Sequence, residues 1–459
     1  MFGDAVNAFV ELAVPWPTPR SLAYWRNVAC LAVAEATGRP PGPVHVNVSF
    51  RDPASCSAAT QRSARAGTGG RPDGRPWTDV SRGELRPSDD DVARLAAFVL
   101  EHQRGFVVAA GARAQDAGPI HELAARAGWP VIGEPGSGVR HGPHVLATIE
   151  ALLRAGATRD SAPDAVLRFG GPPLTAGLAD LLGKGREVVV DADLSWPDPS
   201  RRVEWMLRAD GGAVCEAVNR VLPPTTPSAW ADHWLDAEAR MRAALVGALE
   251  DEPGLTEPLV VREVAASVPP GGALVVGPSM PLRDLDWFMA PRDDIRVLAN
   301  RGANGIDGFA STALGIALAG DAPVVAVAGD LTVLHDQNGL LAARALGGSL
   351  VLVVVNNDGG GIFAFSPAAD GSEEFDAVFA AGTRADFAGL AQTIGAEHER
   401  PESVAELRRA LARRPPVGVR LVEVRTDRAE NVAVHARIWQ RAAARFTAAP
   451  ADVQAGAPV

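Results

Sequence analysis

Cysteine is almost missing from this chain. Cys30, Cys56 and Cys215 are odd in number and far apart in 459 residues. That excludes a disulfide framework and a cysteine-ligated metal cluster, and it fits reduced thiols in the cytoplasm. Lysine is very scarce beside abundant Gly, Ala, Pro and Arg, a coding bias that says little about function. No run of about twenty apolar residues occurs, which argues against a membrane span. The start, MFGDAVNAFVELAVPWP, lacks a basic region ahead of a long apolar stretch, so no secretory signal is evident. Positive charge is in deficit: the net charge of −11 argues against a nucleic-acid partner. The histidines are scattered, and no H-E-x-x-H pair exists. What is present is apolar residues, 47% of the chain, enough to bury the cores of two or three domains.

The stretch from Ala322 to Phe363 organises the rest. It reads APVVAVAGD, LTVLHDQNGLLAARALGG, then SLVLVVVNNDGGGIF. Two Val-rich runs joined by a helical segment predict neighbouring parallel strands, and in open α/β sheets ligands sit at the carboxyl ends of strands. Those ends carry Asp330 on one run and Asn356, Asn357 and Asp358 on the other. A carboxylate and an amide oxygen brought together suit a hard cation such as Mg²⁺, which in turn holds phosphates. Gly359, Gly360 and Gly361 follow, letting backbone approach a ligand closely. Taken singly, Asp330 also reads as a helix cap and Asn-Asn-Asp-Gly as a turn.

Elsewhere the chain alternates strands and helices. Residues 1–53 contain a helical pattern, SLAYWRNVACLAVAEAT, and one alternating strand in PPGPVHVNVSFRDP, too little to bury a core. Residues 54–88 have the Ser, Gly, Arg and Pro content of a linker, with Trp77 placed to pin it to a surface. Residues 89–222 form a βα series without a dinucleotide G-x-G-x-x-G after the first strand. There RFGGPPLT, with Arg168 and Thr175, reads either as a border of the active site or as a plain strand–turn–helix corner. A second βα series fills 223–447, and 448–459 is an Ala/Pro-rich tail expected to be disordered. Three polar residues stand at its strand-to-loop positions: Ser279, Arg283 and Arg301. Arginine suits bidentate carboxylate binding, though a surface or capping role is open to each.

Asp330 and Asn357 at their separation, each after a buried strand, closely resemble the thiamine diphosphate motif of Gly-Asp-Gly followed by Asn-Asn. Leu331 replaces the usual second Gly. That departure, the closing NNDGGGIF, and Ser279, Arg283 and NRGANGIDG together resemble one branch, the 2-succinyl-5-enolpyruvyl-6-hydroxy-3-cyclohexene-1-carboxylate synthase family of menaquinone formation. The resemblance implies successive doubly wound parallel-sheet α/β domains of the thiamine-diphosphate fold. It implies a metal, Mg²⁺ or Mn²⁺, on Asp330, Asn357 and the backbone of Gly359. It places Ile306, Asp330, Leu331, Asn357, Gly359, Gly360, Ile362 and Phe363 against the cofactor, with Ile306 supporting its bent form. Ser279, Arg283 and Arg301 would face the carboxylates of 2-oxoglutarate and isochorismate. His335 and Asp336 read as supporting or capping residues. A homodimer or homotetramer is implied.

The same resemblance makes 1–53 the end of a pyrimidine-binding domain, with most of that domain expected to be missing. The glutamate that activates the cofactor belongs to it, so no catalytic residue is identified; Glu11 and Glu35 do not match its motif. A start upstream of Met1 is the favoured expectation, ahead of a separate complementary chain or an inactive relative. The alternative functions are another thiamine-dependent lyase, acetolactate-synthase-like or a 2-oxo acid decarboxylase, and a non-catalytic cofactor-binding subunit.

Overall fold

A computed structural model describes residues 3–14, 18–50, 69–111, 116–157, 161–300, 304–320, 322–366, 369 and 372–448. Arg301, Cys56 and the 449–459 end of the expected tail lie outside these described residues. Three parallel sheets carry the fold. The first pairs β1 (Ala8–Leu12) with β2 (Val44–Val48), residue 8 beside residue 44. The helix Pro19–Ala36, capped by the Thr18 hydroxyl, connects them. The lone strand expected here is therefore one of two; in AFVEL only Glu11 is polar, so no alternation shows, unlike in VHVNV of the same length. Many apolar side chains of this unit face solvent, among them Phe9, Val33 and Phe50. The guanidinium of Arg26 lies 4.0 Å from the centre of the Trp77 ring, so Trp77 does pin the following segment to the helix.

The second sheet contains β3 (Gly105–Ala110), β4 (Val131–Gly133), β5 (Val145–Leu146), β6 (Ala165–Gly170), β7 (Arg186–Val190) and β8 (Trp205–Leu207). Their order is β5-β4-β3-β6-β7-β8. Arg168 on β6 is buried and donates from Nε to Glu187 Oε1 at 2.5 Å. The Thr175 hydroxyl caps the helix Ala176–Leu182. Of the two readings left open for this pair, the corner is the one found.

The third sheet holds β9 (Ala273–Val276), β10 (Arg296–Ala299), β11 (Val324–Gly329), β12 (Ser349–Asn356), β13 (Glu397–Glu399) and β14 (Gly418–Arg425). The order is β10-β9-β11-β12-β14-β13. The two Val-rich runs are adjacent and parallel, with Gly329 in register with Val355. Their side chains alternate between two cores, as a strand period of two requires. Val325, Val327, Val351 and Val353 pack with helices Glu257–Ser267 and Val404–Ala412. Val324, Ala326, Leu350 and Leu352 pack with helices Phe309–Ala319 and Phe387–Ile394. Burial on both faces explains why these runs are continuously apolar. A further core joins the second and third units: Phe106, Val108 and Trp234 share it with Met280, Trp287 and Ile438.

β9 and β11 are neighbours, yet the chain leaves them in opposite directions. The helix Met280–Phe288 leads from β9 out to β10, whereas the segment after β11 leads to β12. Such a reversal opens a crevice at the carboxyl ends of the two strands.

Candidate active site

That crevice holds a cavity of about 390 Å³. Its walls include Ser279 and Arg283 after β9, Ile306 before the helix Phe309–Ala319, Asp330 and Leu331 after β11, and Asn357, Gly359, Gly360, Ile362 and Phe363 after β12. Every site residue expected from the sequence except the undescribed Arg301 thus lines one space. Arg168, Thr175, Glu11 and Glu35 do not line it. Glu11 is engaged elsewhere, accepting from Asn47 Nδ2 at 2.9 Å across β1 and β2.

Asp330 is 2% exposed. Its Oδ1 accepts from the Leu331 N–H and its Oδ2 from the Gly359 N–H, both at 2.8 Å. The two strand ends are therefore tied together at this carboxylate. Burial pushes its pKa up to about 6, with the two N–H donors opposing. Gly359 sits at φ +137°, and a Cβ there would overlap the Ala380 carbonyl oxygen. The glycine is thus required on both counts. Its carbonyl accepts from the Gly361 N–H at 2.9 Å.

Asn357 donates from Nδ2 to Glu257 Oε1 at 2.8 Å. Its Oδ1 is buried and has no hydrogen-bond partner among the described residues. A buried amide oxygen without a donor is costly unless something fills the gap. A Cβ on Gly361 would come within 2.6 Å of Asn357 Nδ2, so that glycine makes room for the amide.

Sequence reasoning missed the layer beneath. Glu257 is 2% exposed and also accepts from the Thr426 hydroxyl at 2.8 Å. Burial, then the Asp284 charge, pushes its pKa up to about 7. Asp284 and His435 form a fully buried pair, Oδ1 to Nε2 at 2.8 Å. The signal for Glu257 was present in Thr256-Glu257-Pro258, a helix-start pattern, and the helix does begin at Glu257. Asp336 accepts from the Ser311 N–H at 2.6 Å, so it caps the helix Phe309–Ala319 from outside.

Two residues flanking the cavity hold positive φ without being glycine: Ser279 at 72° and Asp358 at 58°. Arg283 Nη1 donates to the Ser279 carbonyl at 2.9 Å, and the Arg384 N–H to Asp358 Oδ1 at 2.7 Å. A larger opening of about 600 Å³ lies across the Asn356–Asp358 loop, beside Arg384, Arg425 and Arg428. Asp330 does not reach it, and its Arg425 is paired with Glu423 at 2.9 Å. The smaller space is the one that both Asp330 and Asn357 line.

The donor set fits a hard divalent cation: a carboxylate, an orphaned amide oxygen and a backbone carbonyl. Among the described residues no cluster of three His, Cys, Asp or Glu could hold a metal by itself.

A sheet reversal, a tethered acidic residue and a glycine-lined loop facing one crevice define a cofactor-binding α/β enzyme. Residues 288–424 match the thiamine pyrophosphate enzyme C-terminal TPP-binding domain. A solved benzoylformate decarboxylase from Polynucleobacter necessarius superposes with a TM-score of 0.63 over 93% of this chain and 77% of that one. At 18% identity that likeness speaks for the fold. This is a thiamine-diphosphate enzyme chain, and thiamine diphosphate is its cofactor. A 2-succinyl-5-enolpyruvyl-6-hydroxy-3-cyclohexene-1-carboxylate synthase from Chloroflexus aurantiacus is 36% identical, covering 96% of this chain and 76% of the relative. Synthases of the same name from Geobacillus kaustophilus and Myxococcus xanthus are each 37% identical, covering 96% and 98% of this chain and 78% of either relative. The chain belongs to the 2-succinyl-5-enolpyruvyl-6-hydroxy-3-cyclohexene-1-carboxylate synthase family.

Proposed function

We propose that this chain serves the reaction in which 2-oxoglutarate loses CO₂ and its remaining four-carbon unit adds to isochorismate. The observation that carries the reading is the convergence of Asp330, Asn357 and Gly359 with Ser279 and Arg283 on one cavity. Bound thiamine diphosphate supplies the carbon nucleophile that lets a 2-oxo acid part with CO₂. The protein's share is placement. Asp330, Asn357 Oδ1 and the Gly359 carbonyl hold Mg²⁺ or Mn²⁺ and, through it, the diphosphate. Ile306, Leu331, Ile362 and Phe363 give apolar walls that exclude water, which strengthens the electrostatic contacts inside. Ser279 and Arg283, with Arg301, receive the substrate carboxylates; both substrates are dicarboxylates, which favours this reading over a lyase acting on small monocarboxylates. The unit 223–447 is the diphosphate- and metal-binding one.

The exposed apolar residues Phe9, Val33 and Phe50 support association, as a homodimer or homotetramer. Free Cys30 and Cys215 support a reducing, cytoplasmic setting. No described helix is long and apolar enough to cross a membrane. The test is an assay for CO₂ release and adduct formation from the two substrates with thiamine diphosphate and Mg²⁺. CO₂ released from 2-oxoglutarate, with adduct formed only when isochorismate is added, supports the reading. Turnover of pyruvate or benzoylformate in their place would favour another thiamine lyase. Tight cofactor uptake with no turnover would favour a non-catalytic subunit.

A further inference from the structure

We propose that Glu257 is a positioning residue: it sets which end of the Asn357 amide faces the cavity, and so makes Asn357 a metal ligand. The inference rests on the metal reading above and adds to it.

An asparagine amide offers one oxygen and one NH₂ of nearly equal size, and only the oxygen binds a cation. Nothing in the covalent structure of Asn357 prefers one orientation. The choice falls to whatever the other end meets. Here that is Glu257 Oε1, 2.8 Å from Nδ2. A carboxylate oxygen accepts and repels another oxygen, so the NH₂ must point to it and Oδ1 into the cavity. Oε1 also accepts from the Thr426 hydroxyl at 2.8 Å, which fixes the carboxylate in turn. Oε1 can accept both bonds whether or not the carboxyl group carries a proton on its other oxygen, so the device does not depend on titration.

The surroundings leave little slack. Glu257 stands in the first turn of a helix that starts at the Thr256 cap and packs its valines under the sheet. Thr426 directly follows β14, whose last residue, Arg425, is in register with Asn356. The Thr426 N–H donates to the Asn356 carbonyl at 3.0 Å. Gly361 keeps the space around Nδ2 clear. The orphaned Oδ1 is what such a device would leave before a cation arrives.

The experiment measures Mg²⁺ affinity by calorimetry with thiamine diphosphate present, together with thermal unfolding of the metal-free full chain. Glu257→Met keeps size and removes the acceptor. It is expected to weaken Mg²⁺ about 10- to 100-fold. Glu257→Gln retains an acceptor oxygen and should stay within about threefold of wild type, since one hydrogen bond of the same geometry remains. The decisive arm is Asn357→Asp. A carboxylate has oxygen at both ends and needs no orienting, so in that background Glu257→Met should cost no Mg²⁺ affinity. The proposal is overturned if Glu257→Met binds Mg²⁺ as wild type does, or if its cost is the same in both backgrounds. Asn357→Ala separates this from the reading beneath it. If that change leaves Mg²⁺ affinity intact, the metal assignment itself fails. If it abolishes affinity while Glu257→Met does not weaken it, only the positioning role fails. The unfolding curves must show metal-free Glu257→Met folded, and if it is not, Thr426→Val in the two Asn357 backgrounds puts the same question by loosening the carboxylate.

Discussion

Replacing Asp284 by asparagine gives a pH-dependent loss of stability whose sign follows from two hydrogen bonds. His435 is 2% exposed and Asp284 fully buried. His435 Nδ1 lies 2.8 Å from the Asn431 carbonyl, and Nε2 lies 2.8 Å from Asp284 Oδ1. Both partners accept, so both ring nitrogens must donate, and the ring is an imidazolium. Burial is the largest single influence and opposes that charge, but the Asp284 charge and hydrogen bond, the Asn431 carbonyl and the Glu257 charge together outweigh it, and the His435 pKa is raised. A histidine whose folded pKa exceeds its unfolded value of about 6.5 lends stability that is complete below that value. The contribution fades as pH rises through the folded pKa. In Asp284→Asn the imidazolium has no counter-charge, and the ring goes neutral. Breaking a buried pair from one side costs about 3–5 kcal/mol, which is the loss expected at pH 5.5. Once pH has risen through the raised folded pKa the wild-type ring loses its extra proton, while the new amide can donate to Nε2, so the difference should shrink toward about 1 kcal/mol or less as that proton is lost. Urea unfolding of both proteins, followed from pH 5.5 upward through the loss of that proton, measures this. A difference that is independent of pH, or that grows with it, would refute the imidazolium assignment.

Gly359→Ala should cost about 1–3 kcal/mol from backbone strain alone, with the clash against Ala380 added, and a thermal melt would show it. A melt matching wild type would mean the loop is free to move. Asp330→Asn should weaken Mg²⁺-dependent uptake of thiamine diphosphate at least about tenfold, read by calorimetry. Arg283→Ala should raise the KM for 2-oxoglutarate or isochorismate, and lysine should not restore it, because it lacks the planar fork; steady-state kinetics on each substrate decides which is affected.

The corner where Asp330 and Asn357 meet was legible because it depends on strand ends. Continuous valine marks a strand buried on both faces, and the residue after such a strand sits at the crevice whatever the details of packing. Asp330 and Asn357 needed no more than that. Glu257 needed much more. It lies 100 residues from Asn357 in the chain, on a helix start, where an acidic residue is ordinarily explained by the helix dipole. Only the docking of that helix beneath the sheet turns it inward. The pair Asp284–His435 was hidden for the same reason: Asp284 lies in the helix Met280–Phe288, 151 residues from His435, and only packing brings them together. The edge strands β10 and β13, of four and three residues, are too short for a period to be counted. β1 escaped because Glu11 is the only polar residue in its run.

The strained residues show what this buried layer contributes. Ser279 and Asp358 hold backbone conformations that side-chain-bearing residues seldom adopt, and such strain persists only where the surroundings over-determine it. Asp358 is held from two sides, by the Arg384 N–H and by Arg428, whose Nη1 donates to its carbonyl. Ser279 is held by Arg283, itself on the helix that carries Asp284 toward His435. The loop after β9 and the loop after β12 are thus fixed by helix residues, Arg283 within Met280–Phe288 and Arg428 at the start of Arg428–Ala448. A cation between Asp330 and Asn357 needs both strand ends at set positions, and the interactions that set them lie almost wholly outside the strands. Parallel strands bring Asp330 and Asn357 to one crevice, and the helix-borne Arg283 and Arg428 hold the carbonyls of the Ser279 and Asp358 loops beside it.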